Sequence, residues 1–299
     1  MNNTVEIINT KLKDYTIKKK NSFKMNANIV RELVKKNIKV QYRNSIIGAL
    51  WTVLNPLLNM LVMWFVFSTF FGSGDEWYAL YILCGNIVFS FMRGATVQSL
   101  PSIVYNRGLL TKNKISQFVF PVSANLGAVV NFAFSSVALL GVMVVTSIAN
   151  KESAFGPTML LILLMIPALF LFSYGLSLVL TAMYVFFRDI QHFYNVLLTL
   201  WTYLTPLFWK KGDLLKKAIP AEGDPGLLYY ALRFVINANP MTQFVEYFRE
   251  VTYVATTSGW TLDFYGFPRL GVLYLIGLAF FGIGTLVFSL TRKNFIYNI

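Results

Sequence analysis

The chain has 299 residues, of which 56% are hydrophobic and only 13% charged. Soluble domains carry roughly 25% charged residues, so this composition cannot build a water-exposed surface, and its hydrophobicity excludes disorder. The 26 basic residues against 13 acidic ones leave a net charge of +13, which in a membrane chain poses the question of the side on which it lies. A single cysteine, Cys84, excludes a disulfide framework and a cysteine-based zinc site. The sequence reads as an integral membrane protein.

Residues 1–25 form a polar, lysine-rich N-terminal extension with a Lys18–Lys20 cluster and no apolar stretch of the signal-peptide kind. Residues 26–44 then follow helical periodicity. Glu32, Lys35, Lys36, Lys39 and Arg43 share one arc, while Ile29, Val30, Leu33, Val34, Ile38 and Val40 cover the other. A basic amphipathic helix beside a span either lies on anionic lipid or offers a platform to a partner. Periodicity leaves both readings open.

A membrane helix needs about 20 mostly apolar residues. Six stretches are free of Asp, Glu, Lys and Arg: Asn44 to Gly74, Trp77 to Met92, Ile115 to Asn150, Ser153 to Phe187, Ile190 to Trp209 and Leu270 to Thr291. The second lengthens if Arg93 snorkels to the interface. These stretches predict an all-α integral membrane fold with six transmembrane helices, near 50–71, 77–97, 121–149, 158–186, 190–209 and 268–290. Residues 45–299 then form one transmembrane domain. Pro56, Pro167 and Pro206 fall inside the runs, where proline is tolerated if neighbours satisfy the freed carbonyls.

Two connections exceed the usual length of about 2–8 residues. The first, 98–120, mixes Pro101 and Gly108 with basic and amide residues, and reads as a short surface helix or as an irregular loop. The second, 210–269, contains the apolar run Leu227 to Ile236, broken by Arg233. There Asn239 suits an N-cap and Pro240 the first position of a second helix, Met241 to Tyr253. Neither piece can cross a bilayer. Residues 227–253 therefore read as a re-entrant helix hairpin, covered by protein at membrane depth, or as an interfacial pair sealing the bundle.

Six spans place both termini on one side. That side comprises 1–50, 93–120, the Arg188-Asp189 turn and Arg292-Lys293. It holds 18 of the 26 basic residues and 4 of the 13 acidic ones. The positive-inside bias makes it cytoplasmic, giving an N-in, C-in topology with the hairpin outside.

Absences narrow the function. There is no G-x-x-x-x-G-K-[ST] phosphate loop and no H-E-x-x-H metal spacing, and the only histidine, His192, reads as structural or interfacial. The predicted span interiors carry no Asp or Glu, the groups on which proton relays and ion-coupled transporters depend. A conduit powered by a separate subunit fits, and a passive channel or scaffold stays open. The aromatic excess (27 Phe, 16 Tyr, 6 Trp) is read mainly as interfacial belts, with Trp51, Trp77, Trp201, Trp209 and Trp260 near span ends. A sugar-polymer pore would also use flat aromatic faces.

Four blocks then stand in the order seen in a known family: LVKKNIKVQYRNSIIGALWTVLNP (33–56), KISQFVFPVSANL (114–126), FRDIQHFYNVLLTLWTYLTPLFW (187–209) and NANPMTQFVEYFRE (237–250). They resemble ABC-2 type permeases of the polysaccharide and polyol-phosphate export family, which includes teichoic acid and O-antigen exporters. The resemblance runs from about residue 29 to the end; residues 1–25 have no family counterpart, and 210–226, with four lysines, is longer than usual.

The resemblance implies a homodimer of six-helix half-transporters joined to two copies of an ABC ATPase subunit. ATP and magnesium belong to that subunit, and this chain carries no cofactor, metal or catalytic residue. It implies that 29–43 is the interface helix and that 101–117 carries the coupling helix. The residues facing the ATPase are then Arg31, Lys35, Lys36, Lys39 and Arg43, with Asn106, Arg107, Lys112 and Asn113. Arg188 and Asp189 mark a cytoplasmic turn. Residues 227–253 become external gating helices, and Trp51, Tyr203, Tyr229, Tyr230, Phe234, Phe244, Tyr247 and Phe248 become channel or gate candidates.

The implied activity is export of a polyprenyl-lipid-linked glycopolymer, teichoic acid or polysaccharide, across the bacterial cell membrane. Export of small hydrophobic molecules or lipids is the alternative, and a motor-free scaffold or enzyme acting on lipid-linked sugars a remoter one. Membrane lipids are expected partners. Nucleic acid is not needed to explain the charge, which reads as orientation signal plus docking surface.

Overall fold

The computed structural model describes residues 24–41, 48, 50–71, 77–112, 115–151, 155–218, 226–254 and 266–295. Every regular element among them is helical. α1 spans 24–41. Gly48, at φ +55°, takes the left-handed conformation that only glycine adopts freely, just before α2 (Leu50–Phe71). α3 (Tyr78–Ser99), α6 (Val119–Asn150), α7 (Leu160–Phe186) and α12 (Gly266–Thr291) are the long apolar helices.

These four helices are long and apolar enough to cross a membrane. α2 has 22 residues but a shorter described apolar stretch, Leu50–Val66. The helix predicted over 190–209 ends earlier in the structure. This helix, α8, runs only from Ile190 to Leu204, about 23 Å at 1.5 Å per residue against a hydrocarbon core of about 30 Å. Pro206 is the reason: the residue before a proline is driven out of the helical region, and Thr205 is extended at ψ 135°. Pro56 and Pro167, in contrast, are held inside α2 and α7.

α7 and α12 pair at backbone contact. A Cβ added at Gly175 would overlap the Phe280–Phe281 backbone, one at Gly284 the backbone of Gly175, and one at Gly277 would lie 2.7 Å from the Ala168 carbonyl oxygen. Small residues give membrane helices this approach, because dispersion replaces the hydrophobic drive that lipid cannot supply.

α3 occupies the centre, packed by α2, α6, α7 and α11 (Pro240–Arg249). A buried polar layer joins it to its neighbours. Asn125 donates to Ser99 Oγ (3.1 Å), Ser177 Oγ (3.0 Å) and the Pro121 carbonyl (2.9 Å), and Thr181 donates to the Ser99 carbonyl (2.8 Å). Tyr194 of α8 donates to Thr96 (2.8 Å). Such a network fixes the register between helices when its members are paired.

At one end of the bundle lie α4 (Ser102–Tyr105) and α5 (Arg107–Lys112), both inside the 98–120 connection. α1 rests there: Leu33 is buried in a cluster with Ile103, Phe120, Leu178, Phe288 and Phe295. At the opposite end lie α9 (Lys211–Lys217), α10 (Leu227–Ala238) and α11 (Pro240–Arg249), the last running into a π turn, Glu250–Val254.

Candidate functional site

The platform end presents charge on an apolar mount. Ile29, Val30 and Leu33 of α1 pack toward the bundle, which leaves Arg31, Lys35, Lys36 and Lys39 exposed. Glu32 pairs with Lys35 at 2.9 Å, and that ammonium holds the Glu32 carboxyl below its ordinary range. Lys36 reaches Asn106 Oδ1 at 3.5 Å, joining α1 to the turn between α4 and α5. Asn106 is itself fixed by donating to the Ser102 carbonyl at 2.8 Å.

Arg107 is exposed beside it, and Tyr105 is 75% exposed. Between α1 and α5 lies an apolar groove of about 470 Å³, bounded by Met25, Ile29, Leu33, Leu109 and Ile115. Arg188 and Asp189 are exposed in the turn before α8. The structure thus brings Lys36 and Asn106 together. Arg43, Asn113 and the Lys112 side chain lie outside the described residues.

The hairpin end is built on a broken helix. Asn239 caps α11, accepting from the Met241 N–H at 3.0 Å, with Pro240 at the first helical position. The same side chain accepts from Trp201 Nε1 (2.8 Å) and donates to Thr205 Oγ1 (3.0 Å). One residue therefore joins the hairpin turn to the end of α8.

Beyond that end, residues 206–209 are non-helical, and no turn of helix satisfies their carbonyls. Arg249 donates to the carbonyls of Pro206 (2.5 Å) and Leu207 (2.9 Å), Tyr78 to that of Phe208, and Tyr81 to that of Trp209 (2.9 Å). Irregular backbone at membrane depth requires such protein partners, since each unsatisfied group costs several kcal/mol. Lys211–Glu246 (3.4 Å) and Arg269–Glu250 (2.5 Å) close ion pairs around the same end.

The gate candidates divide. Trp51, Tyr203, Tyr230 and Phe234 are exposed and Tyr229 is half-buried. Phe244, Tyr247 and Phe248 are instead buried in the chain's own core, with Phe244 against Phe172 and Phe248 against Phe132. α11 turns that aromatic face toward α3 and α7, and these side chains pack the hairpin against the bundle. Trp77, read as a belt residue, is also buried, and Trp201 is engaged by Asn239.

Arg249 closes the last turn of α11 and is not among the candidates that the sequence singles out. It lies 96% out of solvent's reach in effect, at 4% exposure, with its guanidinium 3.5 Å from the Tyr81 ring centre. Among the described residues, no group of three or more His, Cys, Asp or Glu could hold a metal ion.

A bundle of apolar helices with a basic platform at one end and a protein-covered broken helix at the other is the architecture of a multi-pass membrane permease. The chain belongs to the ABC-2 type transporter family, whose model matches residues 29–253. Among its relatives is an O-antigen export system permease protein RfbA of Myxococcus xanthus, 27% identical over 223 residues, covering 74% of this chain and 78% of the relative. Another of the same name, from Klebsiella pneumoniae, is 20% identical over 263 residues, covering 88% of this chain and 92% of the relative. As a permease of this family the chain is a non-enzymatic channel subunit of the bacterial inner membrane, and its family implies an ABC ATPase partner.

Proposed function

We propose that the chain is the permease of an ATP-driven exporter that carries a polyprenyl-lipid-linked glycopolymer from the cytoplasmic face across the cell membrane. The similarity to O-antigen export permeases over most of their length carries this reading. Two copies pair with two ATPase subunits, which hold ATP and magnesium. α2 and α8 complete a six-span, N-in, C-in topology, with α8 continued across the remaining depth by 205–209 and the hairpin. The basic side of α1 and the α4–α5 turn form the ATPase platform, supported by the exposed Lys35, Lys36 and Lys39 and by the Lys36–Asn106 contact. Closure of the ATPases on ATP pushes this platform, and the motion parts the two copies along α2 and α8.

Depletion of the chain in its host tests this reading. Lipid-linked polymer should accumulate on the cytoplasmic face while surface polymer disappears. Surface polymer that persists unchanged after depletion overturns it.

A further inference from the structure

The hairpin and the broken end of α8 are far apart in sequence, yet one buried cation joins them. Arg249 donates Nη1 to the Pro206 carbonyl, Nη2 to the Leu207 carbonyl and Nε to the Tyr81 carbonyl of α3 at 3.0 Å. Among the described residues no carboxylate lies within ion-pair distance of it: Glu246 pairs with Lys211 and Glu250 with Arg269. Its charge is met by three carbonyl dipoles and the Tyr81 ring face, a cation–π contact that strengthens when desolvated. The site is also shaped for it. A Cβ at Gly85 would lie 2.5 Å from Nη2, so any larger residue at that turn of α3 would push the guanidinium from its present position.

Burying a cation costs free energy, and a structure that needed only to seal a bundle would use an apolar side chain here. What the arginine supplies is direction. Its planar fork satisfies two successive carbonyls of an unwound segment at once, which lysine or an apolar residue cannot do. α8 has few other ties: Tyr194 and Leu198 are its buried residues, Tyr194 bonds Thr96, and Asn239 bonds Trp201 and Thr205. We propose that Arg249 is a positioning residue for transport: it locks hairpin α10–α11 to the unwound segment 205–209, so that displacement of α8 moves the hairpin with it as one unit. With the lock weakened, only the Asn239 bonds to Trp201 and Thr205 carry the motion of α8 to the hairpin, and hydrolysis yields less transport.

The proposal rests on the export reading, so the experiment separates the two. Wild type, Arg249→Lys, Tyr81→Leu and Gly85→Ala are compared as assembled complexes with the ATPase in vesicles containing lipid-linked polymer. ATP hydrolysis, polymer translocation and hydrogen–deuterium exchange are followed on the same preparations.

The variants should assemble and hydrolyse ATP near the wild-type rate. Arg249→Lys should translocate about tenfold less polymer per ATP, from the loss of charge-assisted bonds. Exchange should rise together in 205–209 and α10–α11 and stay unchanged in α7 and α12. A merely structural role would reduce the amount of complex and leave polymer per ATP unchanged in what remains, and that result overturns the proposal. Should Arg249→Lys fail to assemble, Tyr81→Leu, which removes the ring face, and Gly85→Ala decide, and wild-type polymer per ATP in both overturns it. A wild-type complex that hydrolyses ATP without moving polymer refutes the export reading alone. Exchange then still decides the lock, which fails if 205–209 and the hairpin respond independently.

Discussion

The α7–α12 pair and α8 belong to one bundle but are held by opposite means. α7 and α12 meet backbone to backbone through Gly175, Gly277 and Gly284, a contact with no slack. α8 leaves Phe193, Val196, Leu200 and Tyr203 exposed along one side and is fastened by polar ties, Tyr194 to Thr96 near its start and Trp201 to Asn239 near its end. Interlocked helices act as a scaffold, while a helix held at a few hydrogen bonds can shift when those bonds exchange partners. The difference is the one the proposed motion requires: a tightly interlocked pair beside a helix held at few points.

The sharpest way to break the comparison is to push the scaffold apart. Gly284→Leu places a side chain where the Gly175 backbone lies, and should cost about 3 kcal/mol or more, read as lost yield and a lower unfolding temperature in detergent. The ties of α8 should be weaker. Asn239→Ala removes the α11 cap and the Trp201 and Thr205 bonds, and should cost about 1–2 kcal/mol, with faster amide exchange in α11 and none in α12. Tyr194→Phe loses one hydroxyl bond to Thr96 and should cost about 0.5–1.5 kcal/mol, measured by the same unfolding transition. Reversing Lys35 and Lys39 to Glu should leave stability within about 0.5 kcal/mol but weaken co-purification of the ATPase in neutral detergent. Retained assembly would make α1 a lipid anchor only.

The scaffold was largely legible in the sequence, because charge-free length is a direct consequence of bilayer thickness. The windows near 121–149 and 158–186 match α6 and α7 within a few residues. Asn239-Pro240 was legible as a helix start, since a capping side chain and a residue lacking an N–H both suit the first turn. The moving part was not.

Apolarity continues through Trp209, so composition hid the break that Pro206 makes after Leu204. The buried roles of Phe244, Tyr247 and Phe248 were hidden too, because an apolar face does not say whether it meets a channel or its own core. Arg249 read as a polar hairpin residue, since its partners are backbone carbonyls, which carry no sequence signal. The nearest clue was Gly85 in an otherwise bulky run of α3, meaningful only once the facing side chain is known.

Reconstitution of the chain with its ATPase in sealed vesicles loaded with lipid-linked glycopolymer tests the central claim most directly. Polymer should become accessible on the opposite face only when both subunits and hydrolysable ATP are present. Translocation without the ATPase, or steady hydrolysis by the assembled complex with the polymer left where it began, would contradict the account.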